Sequence, residues 1–316
     1  MLTESEVLII ETLLIHSKYS FSINGLVKKL QENYNRGTYA TINKRIKIME
    51  KQEKILTKKL GKAILINLNF SNSSLLNSLN ELENYKRDMI IAEYPIFKEI
   101  SDQLISIFDK EYLHSFYCSY TKSNLRRNRI ELTIITLKEI SKTEKQELSI
   151  SINSIATIKN IRIDYLILTV NKYNVLLQTE EFNHINETLY NRIVLLYSNN
   201  FWKSIVPILS ELEKIDLKYD NNYQTETDLS EISEEVIIYN LNRFGYTEFG
   251  SQHKIDKKIS NEYLIITILL KSNQRWLYSI KIIMDRNQYK LNLALLVFLC
   301  KKYSLLEKLI EIIKAT

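Results

Sequence analysis

The chain has 316 residues, enough for two or three domains and too many for one small core. Hydrophobic residues make up 45% and charged residues 25%, an ordinary globular balance, and with only five glycines and two prolines the chain is expected to be dense in regular elements. The net charge is +6: residues 1–70 hold 12 basic against six acidic side chains, leaving 31 of each sign in the remainder. Cys118 and Cys300 lie far apart and His16, His114, His184 and His253 are scattered, so no zinc site, other metal site or disulfide framework is expected. The apolar run Leu291–Cys300 falls short of the roughly 18 residues of a membrane span. Met1–Glu11 carries acids where a secretory leader needs bases, and the expectation is a cytoplasmic chain with no membrane partner.

Taken in order, Thr3 or Ser5 can cap a first helix with Val7, Ile10, Leu13 and Leu14 at helical spacing. Ser22 caps a second, with Ile23, Leu26, Val27 and Leu30 on one face. The polar turn Asn33–Gly37 follows, with Gly37 suited to a left-handed position. Thr38 caps a third helix that turns Ile42, Ile46 and Met49 inward. Ile55–Lys62 and the alternating run Ala63–Phe70 then predict two short strands forming a basic hairpin. Three short helices and a basic hairpin within 70 residues make a winged helix-turn-helix arrangement. Arg36–Lys62 holds nine basic residues against Glu50 and Glu53, the footprint of a polyanion partner. In this reading the third helix presents Tyr39, Thr41, Asn43, Lys44, Arg45 and Lys47 to double-stranded DNA, with Arg36, Lys51, Lys58, Lys59 and Lys62 near phosphates. A winged helix devoted to protein contact is the alternative.

Residues 71–213 read as a second domain. Ser71–Asn84 is a connecting helix, Lys86–Asp109 an amphipathic helix interrupted near Pro95, and Tyr112–Thr136 a strand, a polar turn-and-helix piece and a returning strand, Ile130–Thr136. A third strand, Ile161–Val170, a helix around Glu181–Asn186, and a strand and helix within Leu189–Ile205 complete it.

Phe116–Ser123, Asn128–Leu132 and Ile163-Asp164, with Arg192, Tyr197 and Trp202 behind them, resemble the core of the nucleotidyltransferase (polymerase-beta-like) family, in the form fused behind a winged helix in archaeal proteins. The resemblance implies a mixed-sheet fold with Ser119, Glu131 and Asp164 at the site positions. It departs from the family where Cys118 and Ser123 replace glycines and Arg129 replaces a metal-binding Asp. Nucleotidyl transfer needs carboxylates that hold Mg²⁺, and a guanidinium cannot ligate a cation. No glycine lies between Gly61 and Gly245 to supply another phosphate loop. The expectation is a catalytically inactive domain without cofactor, in which Arg129 repels a divalent ion or pairs with Glu131 and Asp164. It would serve dimerisation or ligand and protein-partner recognition; the alternative is an active, antitoxin-type nucleotidyltransferase.

Lys214–Glu235 is an acid-rich linker, and residues 226–316 read as a small α/β module. It comprises a helix Leu229–Arg243, strands Glu262–Lys271 and Arg275–Met284 joined at Ser272–Gln274, a long helix Tyr289–Leu306, and Leu309–Lys314. Helix, hairpin, helix and the phrase NRFGYTEFG resemble restriction-endonuclease-like domains, with Ser279-Ile280-Lys281 where their E-x-K belongs; an unrelated α+β dimerisation module is the alternative. The whole is expected to be an α+β, DNA-binding regulator of transcription acting as a homodimer.

Overall fold

The computed structural model describes residues 2–15, 21–108, 112–119, 128–179, 181–211, 228–244, 257–286 and 291–314. The fold is mixed α+β, with one sheet of three strands and one of four among the described residues. The elements are α1 (Glu4–Ile15), β1 (Phe21–Ser22), α2 (Ile23–Tyr34), α3 (Tyr39–Lys51), β2 (Ile55–Leu60), β3 (Ala63–Leu68), α4 (Ser73–Glu93), α5 (Ile96–Ile107), β4 (Leu113–Ser119) and β5 (Arg129–Thr136). There follow α6 (Lys142–Lys159), β6 (Arg162–Thr169), α7 (Val170–Gln178), α8 (His184–Tyr190), β7 (Arg192–Leu196) and α9 (Ser198–Glu211). A single 3₁₀ turn (Leu229–Glu231), α10 (Glu234–Asn242), α11 (Asn261–Lys271), α12 (Gln274–Arg286), α13 (Leu293–Lys302) and α14 (Leu306–Lys314) close the chain.

The chain divides into two compact units. Unit 1 is Met1–Cys118, Ile135–Ser151 and Ile193–Tyr223; unit 2 is Ser119–Ile134, Ile152–Arg192 and Gln224–Thr316.

In unit 1 the first three helices start where their caps predict. Thr3 and Glu6 make a reciprocal capping box on α1: the Glu6 carboxylate accepts from the Thr3 N–H at 2.9 Å, and the Glu6 N–H donates to Thr3 Oγ1 at 3.4 Å. Ser22 Oγ accepts from the Gly25 N–H at 3.1 Å and Thr38 Oγ1 from the Thr41 N–H at 3.4 Å. The left-handed residue closing α2 is Asn35 (φ 52°), while Gly37 takes a second positive φ of 93° before α3. Ile10, Leu13, Leu26, Leu30, Ile42, Ile46 and Met49 are buried together with Ile55, Ile66 and Leu68 of the sheet β1-β3-β2, which is antiparallel throughout. The expected connecting helix and the first half of the next are one continuous helix, α4, capped by Asn72 and ended before Pro95, which starts α5. Further along, α9 packs on α4, and Tyr117, Phe201 and Trp202 form a buried aromatic cluster.

Unit 2 corrects several expectations. Glu262–Lys271 and Arg275–Met284 are helices, not strands. Ser260 caps α11, its Oγ accepting from the Tyr263 N–H at 3.3 Å, and residues 261–269 are buried on every side. A helix enclosed all round has no amphipathic period, which is why its Ile- and Thr-rich run resembles a buried strand. In α12 the buried residues are Trp276, Ser279, Ile280 and Ile283, with helical spacing; strand alternation would put Tyr278 beside Trp276 and Ile280, yet it is 72% exposed. The carboxy-terminal module is therefore helical among its described residues, apart from a parallel bridge between Phe182 and Ile259. The hairpin needed for the endonuclease-like resemblance is absent from these residues, and Ser279–Lys281 lies on a helix. The long helix expected through Leu306 stops at Tyr303: Ser304 is left-handed (φ 57°) and the Leu305 N–H returns to the Cys300 carbonyl at 2.8 Å. Its expected start at Tyr289, the polar piece 120–127 and most of the linker fall outside the described residues. Helices α6 and α7 are additional to the elements expected from the sequence.

Candidate nucleic-acid interface and buried charge cluster

The basic excess becomes an arranged surface on α3 and the β2–β3 hairpin. With Ile42, Ile46 and Met49 turned inward, Ala40, Lys44, Lys47 and Lys51 form the outward stripe at i, i+4, i+7 and i+11, all exposed. Tyr39 (50% exposed) and the half-buried Asn43 flank it. The remaining predicted contacts sit differently. The Thr41 hydroxyl pairs with Thr38 Oγ1 at 2.9 Å, and the half-buried Arg45 points back to Glu6 at 3.9 Å. Arg36 is exposed, 3.7 Å from Glu4.

The hairpin pairs Lys58 with Leu65, Lys59 with Ile64 and Leu60 with Ala63, which leaves Gly61 and Lys62 as a two-residue turn. Gly61 takes the positive φ (59°) that a tight hairpin asks of its first turn residue. Lys58, Lys59 and Lys62 are exposed, and the Thr57 hydroxyl donates to the Glu50 carboxylate, tying hairpin to helix. Among the described residues no ion pair engages Lys44, Lys47, Lys51, Lys58, Lys59 or Lys62, so their charge faces solvent.

In unit 2 the motif residues at Arg129, Glu131 and Asp164 come together. Arg129 Nε donates to Asp164 Oδ2 at 2.9 Å and its Nη2 lies 3.2 Å from Glu131 Oε1. Arg162 Nε reaches both Asp164 oxygens, at 3.1 and 3.0 Å. Sequence reasoning missed the central partner, Lys302, whose Nζ is 3.0 and 3.1 Å from the two Glu131 oxygens and whose side chain is 1% exposed. Its signal was faint: Leu295, Leu299 and Lys302 share the buried stripe of α13, with an ammonium at the last position. Also missed was a neighbouring buried trio. His184 Nδ1 is 3.7 Å from Glu187 Oε2, and the Tyr263 hydroxyl donates to the same carboxylate.

Burial alone would raise the Glu131 carboxyl, but Lys302, His184 and Arg129 outweigh it and hold the group below the ordinary carboxylate value. Burial likewise opposes ionisation of Glu187, yet the His184 hydrogen bond, the Lys302 charge and the Tyr263 hydroxyl bring it down to about 2. Arg129, Arg162 and Lys302 thus pair with Glu131 and Asp164, with Glu187 held beside them by Tyr263 and His184. Each carboxylate already accepts from protein donors, so a divalent cation would have to displace a guanidinium or an ammonium. Among the described residues no group of three or more His, Cys, Asp or Glu could hold a metal. Ser119 ends β4, half-buried, with no hydrogen bond to this cluster among the described residues. Cys118 is buried and its thiol is pushed up to about 12 by that burial. Ser123 lies outside the described residues.

Arg192 and Trp202 are buried, and Tyr197 takes a positive φ of 56°. No described helix is long and apolar enough to cross a membrane. No protein-family model, curated protein or solved structure matches the chain.

Proposed function

We propose that this chain binds double-stranded DNA through residues 2–70, acting as a winged helix-turn-helix, and serves as a regulator of transcription. The observation that carries the reading is the exposed lysine stripe Lys44, Lys47 and Lys51 on the outward face of α3, continued by Lys58, Lys59 and Lys62 on the hairpin. A helix with one packed face and one cationic face suits a major groove, where phosphates lie on either side of it. In this reading Lys44, Lys47 and Lys51 supply affinity, Tyr39 and Asn43 meet base edges, and Thr41 and Arg45 shape the helix. The nucleotidyltransferase-like region acts in recognition or dimerisation, without catalysis. The support is Arg129, which takes Asp164 and Glu131 out of metal coordination by pairing with both.

Fluorescence anisotropy of the full chain on duplex DNA tests the first claim. Binding is expected to fall steeply with salt, and Lys44→Ala, Lys47→Ala and Lys51→Ala together are expected to flatten the log–log slope by about 0.9 per lost phosphate contact. Absence of binding at low salt would refute it. Incubation with Mg²⁺ and ATP is expected to yield no transfer product; transfer abolished by Glu131→Ala or Asp164→Ala would establish the enzyme instead.

A further inference from the structure

The end of the hairpin carries apolar surface that the fold does not use. Its inner face supplies the core with Ile55, Ile66 and Leu68. On the outer face Leu56 is 55% exposed and Leu60, the last residue before the turn, 61% exposed. Leu60 lies opposite Ala63, too small to cover it, and an added Cβ at Gly61 would meet nothing within 4 Å. The tip is thus a bare leucine on a narrow turn. Lys58 stands two residues before it on the same face, Lys59 is beside it on the other, and Lys62 is in the turn.

We propose that Leu60 is a wedge that enters the minor groove of duplex DNA and opens a base step, bending the duplex, while Lys58, Lys59 and Lys62 hold the flanking phosphates. This rests on the DNA-binding reading above and adds a mechanism to it. Apolar side chains pushed between base steps kink DNA by about 20–90° toward the major groove. The minor groove is about 6 Å wide, and paired strands lie about 4.8 Å apart, so a hairpin enters edge-on at its turn. The narrow groove concentrates negative potential, which the surrounding lysines match. The same lysines disfavour a second copy of this chain as the occupant, because two such tips would bring like charges together. The outward lysines of α3 belong to the same small domain, which favours DNA over a lipid surface.

The test uses the full chain and duplexes of about 30 base pairs, labelled at both ends for energy transfer and carrying 2-aminopurine at a central TA or CA step. Such steps unstack readily, so they are expected to respond most, and stiff A-tracts least. Binding of the unmodified protein is expected to raise both signals. Leu60→Ala, exposed and outside the core, is expected to keep its salt slope and lose both signals, with Leu60→Phe restoring them. Affinity of Leu60→Ala for the TA duplex is expected to fall three- to tenfold. Lys59→Ala and Lys62→Ala are expected to keep the bend while each reduces the slope by about 0.9. Equal bending by Leu60→Ala and unmodified protein, or binding without bending, would overturn the wedge and leave DNA binding intact. Absence of all duplex binding would overturn both readings. Binding to vesicles of phosphatidylserine, lost in Leu60→Ala, together with no bending of DNA would assign the tip to a membrane surface and overturn the wedge.

Discussion

Replacing Lys302 with Met removes the cation between the two Glu131 oxygens while keeping a side chain of similar length. The ammonium lies 3.0 and 3.1 Å from those oxygens, and the two side chains are 1% and 4% exposed. At 3 Å with an effective dielectric constant near 20, the attraction lost is about 5 kcal/mol. Leaving a buried carboxylate behind costs roughly 3–5 kcal/mol. Arg129, 3.2 Å away, still faces Glu131 and should hold the loss to about 3 kcal/mol. Trp276 lies in unit 2 and Trp202 in unit 1, so a Trp202→Phe background isolates unit 2 by fluorescence. With a urea dependence of about 2 kcal/mol per molar, Lys302→Met is expected to lower the unit 2 midpoint by about 1.5 M. Adding Glu131→Leu should recover most of it, because an apolar pair leaves no unpaired charge. A midpoint change under about 0.5 M, or a double variant no better than the single one, would refute the argument.

Acid should unfold unit 2 early. The Glu187 carboxyl is lowered from 4.5 to about 2, and Glu131 is lowered too, so the stability they contribute is full above pH 4.5 and is lost as pH falls toward 2. Trp276 fluorescence against pH should show this loss, and Glu187→Gln should reduce it; a flat profile over that range would count against it. Cys118 and Cys300 are buried with thiols raised to about 12 and about 11, so Ellman's reagent at pH 8 should react slowly with the folded chain and rapidly in denaturant. Fast reaction of either thiol in the native protein would contradict their burial. Asn43→Ala should weaken a preferred DNA site by roughly 1–3 kcal/mol and random DNA by much less; equal losses would place Asn43 away from base edges.

What the sequence determined by itself is local. Ser22 and Thr38 mark helix starts because a side-chain oxygen a few atoms from the backbone can satisfy orphan N–H groups whatever surrounds it. Ile42, Ile46 and Met49 mark the inner face of α3 because their spacing matches the helical period, and the basic stripe follows on the opposite side. The pairing of Arg129 with Asp164 was legible because a charge reversal at a motif position leaves carboxylates in need of a cation. The rest depended on tertiary structure. A run such as Tyr263–Leu269 is apolar on every side, so its period cannot separate helix from buried strand; enclosure by the 3₁₀ turn, α10, α12 and α13 decides it. Lys302, His184, Glu187 and Tyr263 are polar residues far apart in sequence whose meeting depends on long-range packing. The ionisation of Glu131 and Glu187 was equally illegible, because burial and neighbouring charge exert opposing effects on a carboxyl, and only the distances between the groups decide which prevails.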